Sequence, residues 1–525
     1  MTMKRYRSII RSVAFSFVTA LSITSCSEDV MDRINENPNN AHDVPAKFIL
    51  SDVGVSTAFS VVGGDFNLYT AIYIEHETGT GQQQWRAETR SGEPTASSTY
   101  NNAWLSLYGN IKNAKLAIDK CQNSALDKGN NVTEAIAHIL LAYNGAIATD
   151  MFGDTPFSET GIMNEDGTPK YLQPKIETQE SIYGEVMNHL TTAIELLDGG
   201  NATDNGLSGA IGSKDYIYGG NAGKWLKAAY ALKARYTLRL LNRSKDVNKD
   251  LTDILDYISK SFTSADEELK LAIYDGNSQL NPLFAFNYSR PGSFSASESL
   301  VEKFSEHNDP RLSQLFMTQD WVQAKTVEEI VPAPNGTALE SSSTYGISMI
   351  GYGITTPTQL MSYHELMFIK AEVMARLNQD AKAVLKEAIT ASFANTQATL
   401  ESANDNWIGD READTELSSK VNDYFDNTVS TAYDNNPVKE IILQKYLAFF
   451  GASGESVEAY NDYRRLKAEG RGYEVKLNNP KNDKQFPQRL GYGGSDVTAN
   501  QAIKEAFGDG QYVYTESVWW AGGTR

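Results

Sequence analysis

The sequence predicts a mainly α-helical fold, in which stacked helix pairs support a lobe that is rich in loops and has few short strands. Two observations lead to this expectation. Apolar residues recur at spacings of three and four in most of the long segments, which is the period of an amphipathic helix. The segments between them are rich in Gly, Ser, Asn and Pro and are too long to be simple connectors. We expect residues 46–525 to form a single domain.

Eight stretches carry the helical period. In the first of them, Trp104, Leu107 and Ile111 fall on one face. The last four stretches form two pairs, each joined by a short polar turn, which is typical of packed helix pairs. Small Ala side chains beside large aromatic ones favour close stacking, similar to that of tetratricopeptide repeats. The predicted helices are residues 101–120, 132–151, 179–197, 222–242, 363–377, 381–393, 437–450 and 455–468.

The intervening segments are predicted to be irregular and to carry function. Tyr and Trp are scattered through them, and such side chains offer flat apolar faces for sugar rings or for protein interfaces. The formal net charge of −19 disfavours binding to nucleic acid or to anionic lipid. The predicted irregular segments are residues 60–100, 200–221, 275–297, 330–360 and 470–525.

The first 25 residues have the layout of a secretory signal peptide. Four basic residues precede an apolar stretch, residues 13–23, that is too short to span a bilayer, which needs about 20 residues. Cys26 follows Thr24 and Ser25, and this arrangement resembles a bacterial lipobox. We therefore expect lipidation at Cys26 and a lipid-anchored tether over residues 26–45. The alternative is an ordinary signal peptide with an incidental cysteine.

Familiar enzyme motifs are incomplete in this chain. His364-Glu365 begins a zinc-protease pattern, but Phe368 stands where the second histidine is needed. The glycines around position 220 are too close together for a phosphate loop, and no Gly-x-Ser-x-Gly elbow occurs. We predict no catalytic residues. A carboxylate pair for glycoside cleavage stays open, because 66 acidic residues allow many pairs.

No cofactor or metal site is predicted. Beyond Cys26 the chain has only Cys121, which cannot form an intramolecular disulfide and which we expect to be buried in a helix. A structural calcium ion is conceivable at the polar residues 404–410, but Asn404, Asp405, Asn406 and Asp410 lack the ordered spacing of a helix-loop-helix site.

Several short stretches, which follow one another along almost the whole chain, resemble the SusD/RagB family of outer-membrane nutrient-binding lipoproteins, in its second, SusD-like branch. One departure is Leu466-Lys467, where the family often has Thr-Gly. The stretches are WLSLYGNI at 104–111, MFGDTPFSE at 151–159, WLK at 225–227 with LKAR at 232–235, NPLF at 281–284, NDPRL at 308–312, SYHEL at 362–366 with KAE at 370–372, QKYLA at 444–448, DYRR at 462–465 and PQRL at 487–490.

The resemblance implies about four tetratricopeptide-like helix pairs and a non-catalytic function. It implies a surface-exposed protein, lipid-anchored in the outer membrane and facing the extracellular side. The implied partner is a TonB-dependent, SusC-like barrel, over which such proteins act as a lid that captures glycans, or sometimes peptides, for import. Within the shared motifs we expect Arg235, Lys370, Glu372 and Arg465 to join ion pairs between stacked helices.

The candidate ligand-binding residues lie in the predicted irregular segments or directly beside them. Residues 82–86 combine a stacking surface, three amides and a forked donor, which suits an oligosaccharide. Trp85 could instead fill a core, Tyr100 could staple a helix, and Arg290 could shape a turn. A peptide ligand, a surface glycoside hydrolase and a purely structural scaffold remain alternatives. The candidate residues are Gln83, Trp85, Arg86, Tyr100, Asn101, Tyr288, Arg290, Phe294, Tyr345 and Tyr352.

Overall fold

The computed structural model describes residues 44–91, 97–164, 166–205, 209–340, 342–404 and 416–525. Helices dominate these residues. The strands are only two to four residues long, and they pair as four antiparallel two-stranded sheets, β1 with β5, β2 with β3, β4 with β8 and β6 with β7. The prediction of a mainly α fold with tetratricopeptide-like helix pairs and few short strands is confirmed.

The elements are numbered in chain order. The strands are β1 Glu77–Gly79, β2 Thr155–Pro156, β3 Ile176–Glu177, β4 Leu269–Leu271, β5 Phe294–Ala296, β6 Phe316–Met317, β7 Ile347–Ser348 and β8 Thr358–Met361. The α-helices are α1 Ala46–Ser56, α2 Phe66–Tyr73, α3 Gln82–Thr89, α4 Asn101–Asn123, α5 Asn131–Phe152, α6 Gln179–Leu197, α7 Ala222–Arg239, α8 Val247–Ser259, α9 Pro282–Ser289, α10 Glu298–Glu306, α11 Leu312–Leu315, α12 Val327–Ile330, α13 Tyr363–Arg376, α14 Lys382–Asn404, α15 Val421–Tyr424, α16 Ser430–Asn435, α17 Pro437–Ala448, α18 Ser456–Ala468, α19 Asn482–Gln485, α20 Gly494–Ala499, α21 Gln501–Phe507 and α22 Tyr512–Thr515. Residues Thr57–Asp65 and Phe425–Val429 are π-helical.

The eight predicted helices are all present, as α4 to α7, α13, α14, α17 and α18. Side-chain caps fix several of their starts: Thr178 accepts from the backbone N–H of Ser181, and Ser362 accepts from that of Glu365. The prediction of an irregular segment over residues 60–100 is wrong in part, because it contains α2 and α3. Every residue of α2 is buried, so this helix has no polar face and shows no amphipathic stripe.

Neighbouring helices pack in sequence order in the first half of the protein. Helix α4 packs on α5, α5 on α6, α6 on α7 and α7 on α8, and α13 packs on α14 and α17. Helix α5 and the segment Ala46–Tyr73 are long and apolar enough to cross a membrane, yet the apolar window of α5 is wholly buried inside the protein. Helix α5 is therefore the core helix of this stack.

Buried ion pairs join the stacked helices. On α7, Arg235 donates from Nε to Glu365 of α13 at 2.8 Å. On α18, Arg465 donates to both carboxylate oxygens of Glu372 of α13, at 2.8 and 2.9 Å. The predicted ion pairs are confirmed for these residues, whereas Lys370 makes none with any residue that the structure describes.

A second part of this network surrounds Arg239 of α7. Its guanidinium contacts the carboxylates of Asp150 on α5 and Glu458 on α18, and all three side chains are buried. Burial raises the pKa of Asp150, and the charge of Arg239 opposes that rise. One arginine therefore links three helices and pairs with two carboxylates that have lost their water.

Cys121 is buried in α4, as expected, and burial raises the pKa of its thiol to about 12. Cys26, the leader 1–25, most of the tether, and Asp405, Asn406 and Asp410 lie outside the described residues, as does the side chain of Asn404. In the part of the chain that is described, no group of three or more His, Cys, Asp or Glu side chains could hold a metal ion.

Candidate functional site

The candidate site is an open cleft of about 530 Å³, where four segments of the chain meet. Most of the side chains along it are amides, hydroxyls or charged groups, which can hydrogen-bond a polar ligand. The cleft is lined by Asp65, Leu68, Tyr69, Gln82, Gln83, Gln84, Arg86, Ser98, Thr99, Asn102, Phe286 and Arg290.

Helix α3 forms one side of the cleft. Gln82, Gln83 and Arg86 are exposed. Arg86 follows Gln82 by four residues and Gln83 by three, so the three side chains share one face of the helix. The opposite face is buried and fixed by Glu88, whose carboxylate accepts from the backbone N–H groups of Gly336 (2.5 Å) and Gly79 (3.2 Å). Burial raises the pKa of Glu88 to about 7, and the charge of Arg90 partly opposes this.

A short sheet brings α3 next to α9. Strand β1 leads into α3, strand β5 follows α9, and the two strands pair with Thr78 opposite Ser295. Gly79 allows the close approach of β1 to α3, because a Cβ there would lie 2.1 Å from the carbonyl oxygen of Gln84. The start of α3 and the end of α9 therefore meet, although they are far apart in the sequence.

Helix α9 contributes Phe286 and Arg290. Its start is fixed by Asn281, which accepts from the backbone N–H groups of Leu283 (2.9 Å) and Phe284 (3.1 Å). Arg290 follows the last helical residue and is exposed, and its guanidinium lies 5.4 Å from the centre of the Phe286 ring. This places a forked cation over a flat ring in the cleft.

The base of the cleft is the junction between the π-helix Thr57–Asp65 and α2. π-Helical turns are rare in proteins, but those that do occur are often found at functional sites. Gly63 allows this turn to lie against α9, because a Cβ there would come within 2.6 Å of Pro282. The junction places Asp65 and Tyr69 in the cleft, and Tyr69 donates to Gln83 at 3.4 Å.

The third side is formed by Ser98, Thr99 and Asn102, where α4 begins. Tyr100 lies beneath them. Its hydroxyl is 2.6 Å from that of Tyr73, and its ring meets Tyr69 edge-on at 5.1 Å. Buried tyrosines therefore support this side from below, and the short polar side chains remain at the cleft.

The charges in the cleft are largely unneutralised. Neither Arg86 nor Arg290 forms an ion pair within 4 Å with any residue that the structure describes. Asp65 is the one carboxylate in the described lining, and burial raises its pKa while the charge of Arg290 lowers it. Burial thus disfavours the ionised form of the acid, whereas an exposed guanidinium stays charged.

Three of the ten predicted ligand residues converge on the cleft: Gln83, Arg86 and Arg290. Asn101, beside the lining residue Asn102, accepts instead from the backbone N–H of Ser495 at 2.9 Å. Tyr100 and Phe294 are buried, and Phe294 packs against the Phe286 ring at 5.5 Å. Tyr100 and Phe294 are core residues here, and they do not line the cleft.

Trp85 and Tyr345 lie outside the cleft lining, against the loop around residue 338. The indole Nε1 of Trp85 donates to the carbonyl of Ala338 at 2.9 Å, and the Tyr345 hydroxyl accepts from the N–H of Leu339 at 3.1 Å. Trp85 is half-buried and Tyr345 is buried. Trp85 therefore holds this loop against α3, and Tyr345 links two positions within the loop.

Tyr288 and Tyr352 belong to an aromatic group beside α9. The ring of Phe284 stacks on Tyr288 at 5.7 Å and meets Tyr352 edge-on at 6.4 Å. Tyr352 is buried, whereas 74% of Tyr288 is exposed. Tyr288 therefore presents a free aromatic face on the helix that also carries Phe286.

The sequence analysis did not identify Asp65, Tyr69 or Phe286. One signal for Asp65 was present, since it is a lone carboxylate after two glycines within an otherwise apolar stretch. Tyr69 and Phe286 had none, because an aromatic residue at the edge of a cleft has the same local pattern as one in a core.

Comparison with known proteins places the chain in a family. Residues 67–493 match the SusD-like family described as "Starch-binding associating with outer membrane". No curated protein matches the chain.

Solved structures share the fold. A SusD/RagB family protein from Bacteroides thetaiotaomicron is 44% identical with a TM-score of 0.86, over 92% of this chain and 100% of that one. A SusD homolog from Bacteroides fragilis is 20% identical (TM-score 0.68, 91% and 100% coverage). A chitin-binding SusD homolog from Flavobacterium johnsoniae is 18% identical (TM-score 0.65, 91% and 99% coverage). This chain belongs to the SusD/RagB family of outer-membrane-associated, nutrient-binding proteins.

Proposed function

We propose that this protein is a non-catalytic lipoprotein that binds oligosaccharides in the cleft between α3, α9 and the start of α4. The observation that carries the proposal is the convergence of amide, hydroxyl and guanidinium side chains from three segments on one open cleft. Sugar hydroxyls need such donors and acceptors, while the half-buried ring of Phe286 suits the apolar face of a sugar. The starch-binding description of the family agrees with this ligand class.

The proposal includes a location and a partner. A lipid on Cys26 would anchor the protein in the outer membrane, with the cleft facing the extracellular side. The bound oligosaccharide would then pass to a TonB-dependent, SusC-like barrel, over which the protein acts as a lid. A Cys26→Ala variant should keep its fold and its affinity for oligosaccharides and lose retention at the cell surface. Retention of that variant would contradict the anchor.

Binding can be tested by calorimetry against a panel of oligosaccharides. Gln83→Ala and Asn102→Ala each remove an amide from the cleft, and each should weaken binding about fivefold or more, because one hydrogen bond to the ligand is lost. Both residues are at least partly exposed, so the melting temperature should not change. Unchanged affinity in both variants would place the ligand elsewhere on the protein.

A peptide ligand is the second candidate, because amides and arginines also bind peptides, and a peptide panel in the same experiment separates the two. A glycoside hydrolase fits the cleft less well. Hydrolysis of this kind uses two carboxyl groups, and Asp65 is the one carboxylate in the described lining. Sustained release of new reducing ends from an oligosaccharide would overturn the non-catalytic proposal.

A further inference from the structure

We infer that the cleft selects anionic oligosaccharides, in which at least one sugar carries a carboxylate or a sulfate. This inference rests on the proposed function and specifies its ligand class. It starts from Arg86 and Arg290, which come from different helices and line the same cleft.

Neither guanidinium group lies within ion-pair distance of a carboxylate among the residues that the structure describes. Elsewhere in the protein, arginines such as Arg235 and Arg465 lie against carboxylates. Within the described residues Arg86 and Arg290 have no such ion pair, and Asp65 is a single acid for two cations. A cleft that binds only neutral sugars has no need of two free cations, because the amides already supply donors and acceptors.

The two arginines of the cleft contrast with the negative net charge of the whole chain. With a net charge of −19, the protein as a whole repels anions, so these two cations do not belong to a generally basic surface. A guanidinium binds a carboxylate or a sulfate through two parallel N–H donors, which a lysine cannot do. Two such forks in one cleft, one on α3 and one at the end of α9, can hold one anionic group or two successive ones.

Other lining residues favour an anionic sugar over a simple anion or an acidic peptide. Gln82, Gln83 and Asn102 add amides that match ring hydroxyls. The Arg290 guanidinium lies over the half-buried Phe286 ring, so a sugar that packs against the exposed part of this ring comes close to the cation. A flat ring face, hydroxyl partners and two cations together describe a charged sugar.

The test is a glycan array built of matched pairs, followed by calorimetry. Each anionic oligosaccharide is printed beside its neutral counterpart: uronic-acid oligomers beside their methyl esters, and sulfated oligomers beside their desulfated forms. We expect the tightest ligand to be anionic and to bind at least about tenfold more tightly than its neutral counterpart, since charge-assisted hydrogen bonds are lost in the latter. The two kinds of pair show whether carboxylate or sulfate is preferred.

Variants identify the residues responsible. Arg86→Gln and Arg290→Gln should each remove most of this preference and leave affinity for the neutral counterpart nearly unchanged. Arg86→Lys should retain part of it, because the charge remains and the fork is lost. Lys249→Gln, which removes an exposed cation on α8, is the matched control and should change nothing.

The outcomes separate this inference from the proposed function. If the tightest ligand is neutral and Gln83→Ala weakens its binding, the selectivity is wrong and the oligosaccharide site stands. If acidic peptides bind more tightly than any oligosaccharide, both are wrong. If no oligosaccharide binds at all, the proposed function fails, and the inference fails with it.

Discussion

Arginines occupy two contrasting regions of this protein. In the helical stack, Arg239 is buried between Asp150 and Glu458, and its charge is neutralised within the protein. In the cleft, Arg86 and Arg290 are exposed and form no ion pair with the described residues. The same side chain therefore has a structural role in one region and is available to a ligand in the other.

The difference follows from desolvation. A buried charge that loses its partner cannot regain water, so the cost of breaking the pair is large. An exposed arginine keeps its hydration and can exchange water for a ligand at little cost to the fold. Stability and affinity should therefore respond in opposite ways when the same substitution is made in the two regions.

The largest expected effect comes from Arg239→Gln. The substitution leaves buried Asp150 without its ion-pair partner and Glu458 with only the more distant Arg235, at 3.8 Å. It should lower the free energy of unfolding by about 3–5 kcal/mol, measured by urea denaturation. Arg86→Gln is the matched substitution in the cleft and should change stability by less than about 0.5 kcal/mol. Equal losses of stability in the two variants would contradict the comparison.

The next effect is the pH dependence contributed by Glu88 on the buried face of α3. Its folded-state pKa, about 7, lies above the ordinary value of 4.5, so the folded protein holds this proton more firmly than the unfolded chain does. The protonated Glu88 side chain therefore stabilises the fold fully below pH 4.5, and this stabilisation is lost as the pH rises through 7. The corresponding change in the free energy of unfolding is roughly 3 kcal/mol.

Glu88→Gln should remove this dependence, because the amide oxygen can still accept a hydrogen bond and carries no charge. The difference between wild-type and variant melting temperatures should change between pH 4.5 and 7 and stay constant outside that range. Glu77, whose pKa burial raises to about 8, leaves a residual slope in both proteins. Parallel curves for the two proteins would show that Glu88 does not titrate there.

Trp85→Ala tests whether this residue supports α3 or binds ligand. It removes the bond to Ala338 and the half-buried indole, and should cost about 2 kcal/mol, less than the loss at a fully buried tryptophan. Gln83→Ala, on the cleft face of the same helix, should leave stability unchanged and weaken ligand binding. If Trp85→Ala instead keeps its melting temperature and loses affinity, the ligand-binding role expected from the sequence is correct.

These assignments show what the sequence could predict. Helices α4 and α6 have one apolar face each, so spacing alone identified them. Helix α2 is buried on all sides, and the preceding π-helix breaks the helical period. The spacing of apolar residues therefore could not identify this helix. In the cleft, Gln83 and Arg86 are neighbours in the sequence, and their polar character was visible.

The rest of the cleft depends on contacts between distant segments. Asp65 and Arg290 line the same cleft only because β1 pairs with β5 and because Gly63 lies against Pro282. Neither contact leaves a pattern within a short window of sequence. Composition also failed to separate the tyrosines: Tyr288 is exposed and Tyr352 is buried, and both are found in glycine- or serine-containing segments.

The smallest expected effect is at Tyr288. Because 74% of this side chain is exposed, Tyr288→Ser should change the free energy of unfolding by less than about 0.5 kcal/mol. Its free ring face lies on α9 outside the cleft lining, so it can contact only a ligand that extends beyond the cleft. Long oligosaccharides should therefore lose about fivefold in affinity, while short ones of the same linkage bind as before. An equal loss for both lengths would mean that the Tyr288 side chain takes part in the cleft itself, and no loss for either would confine the ligand to the residues between α3, α9 and the start of α4.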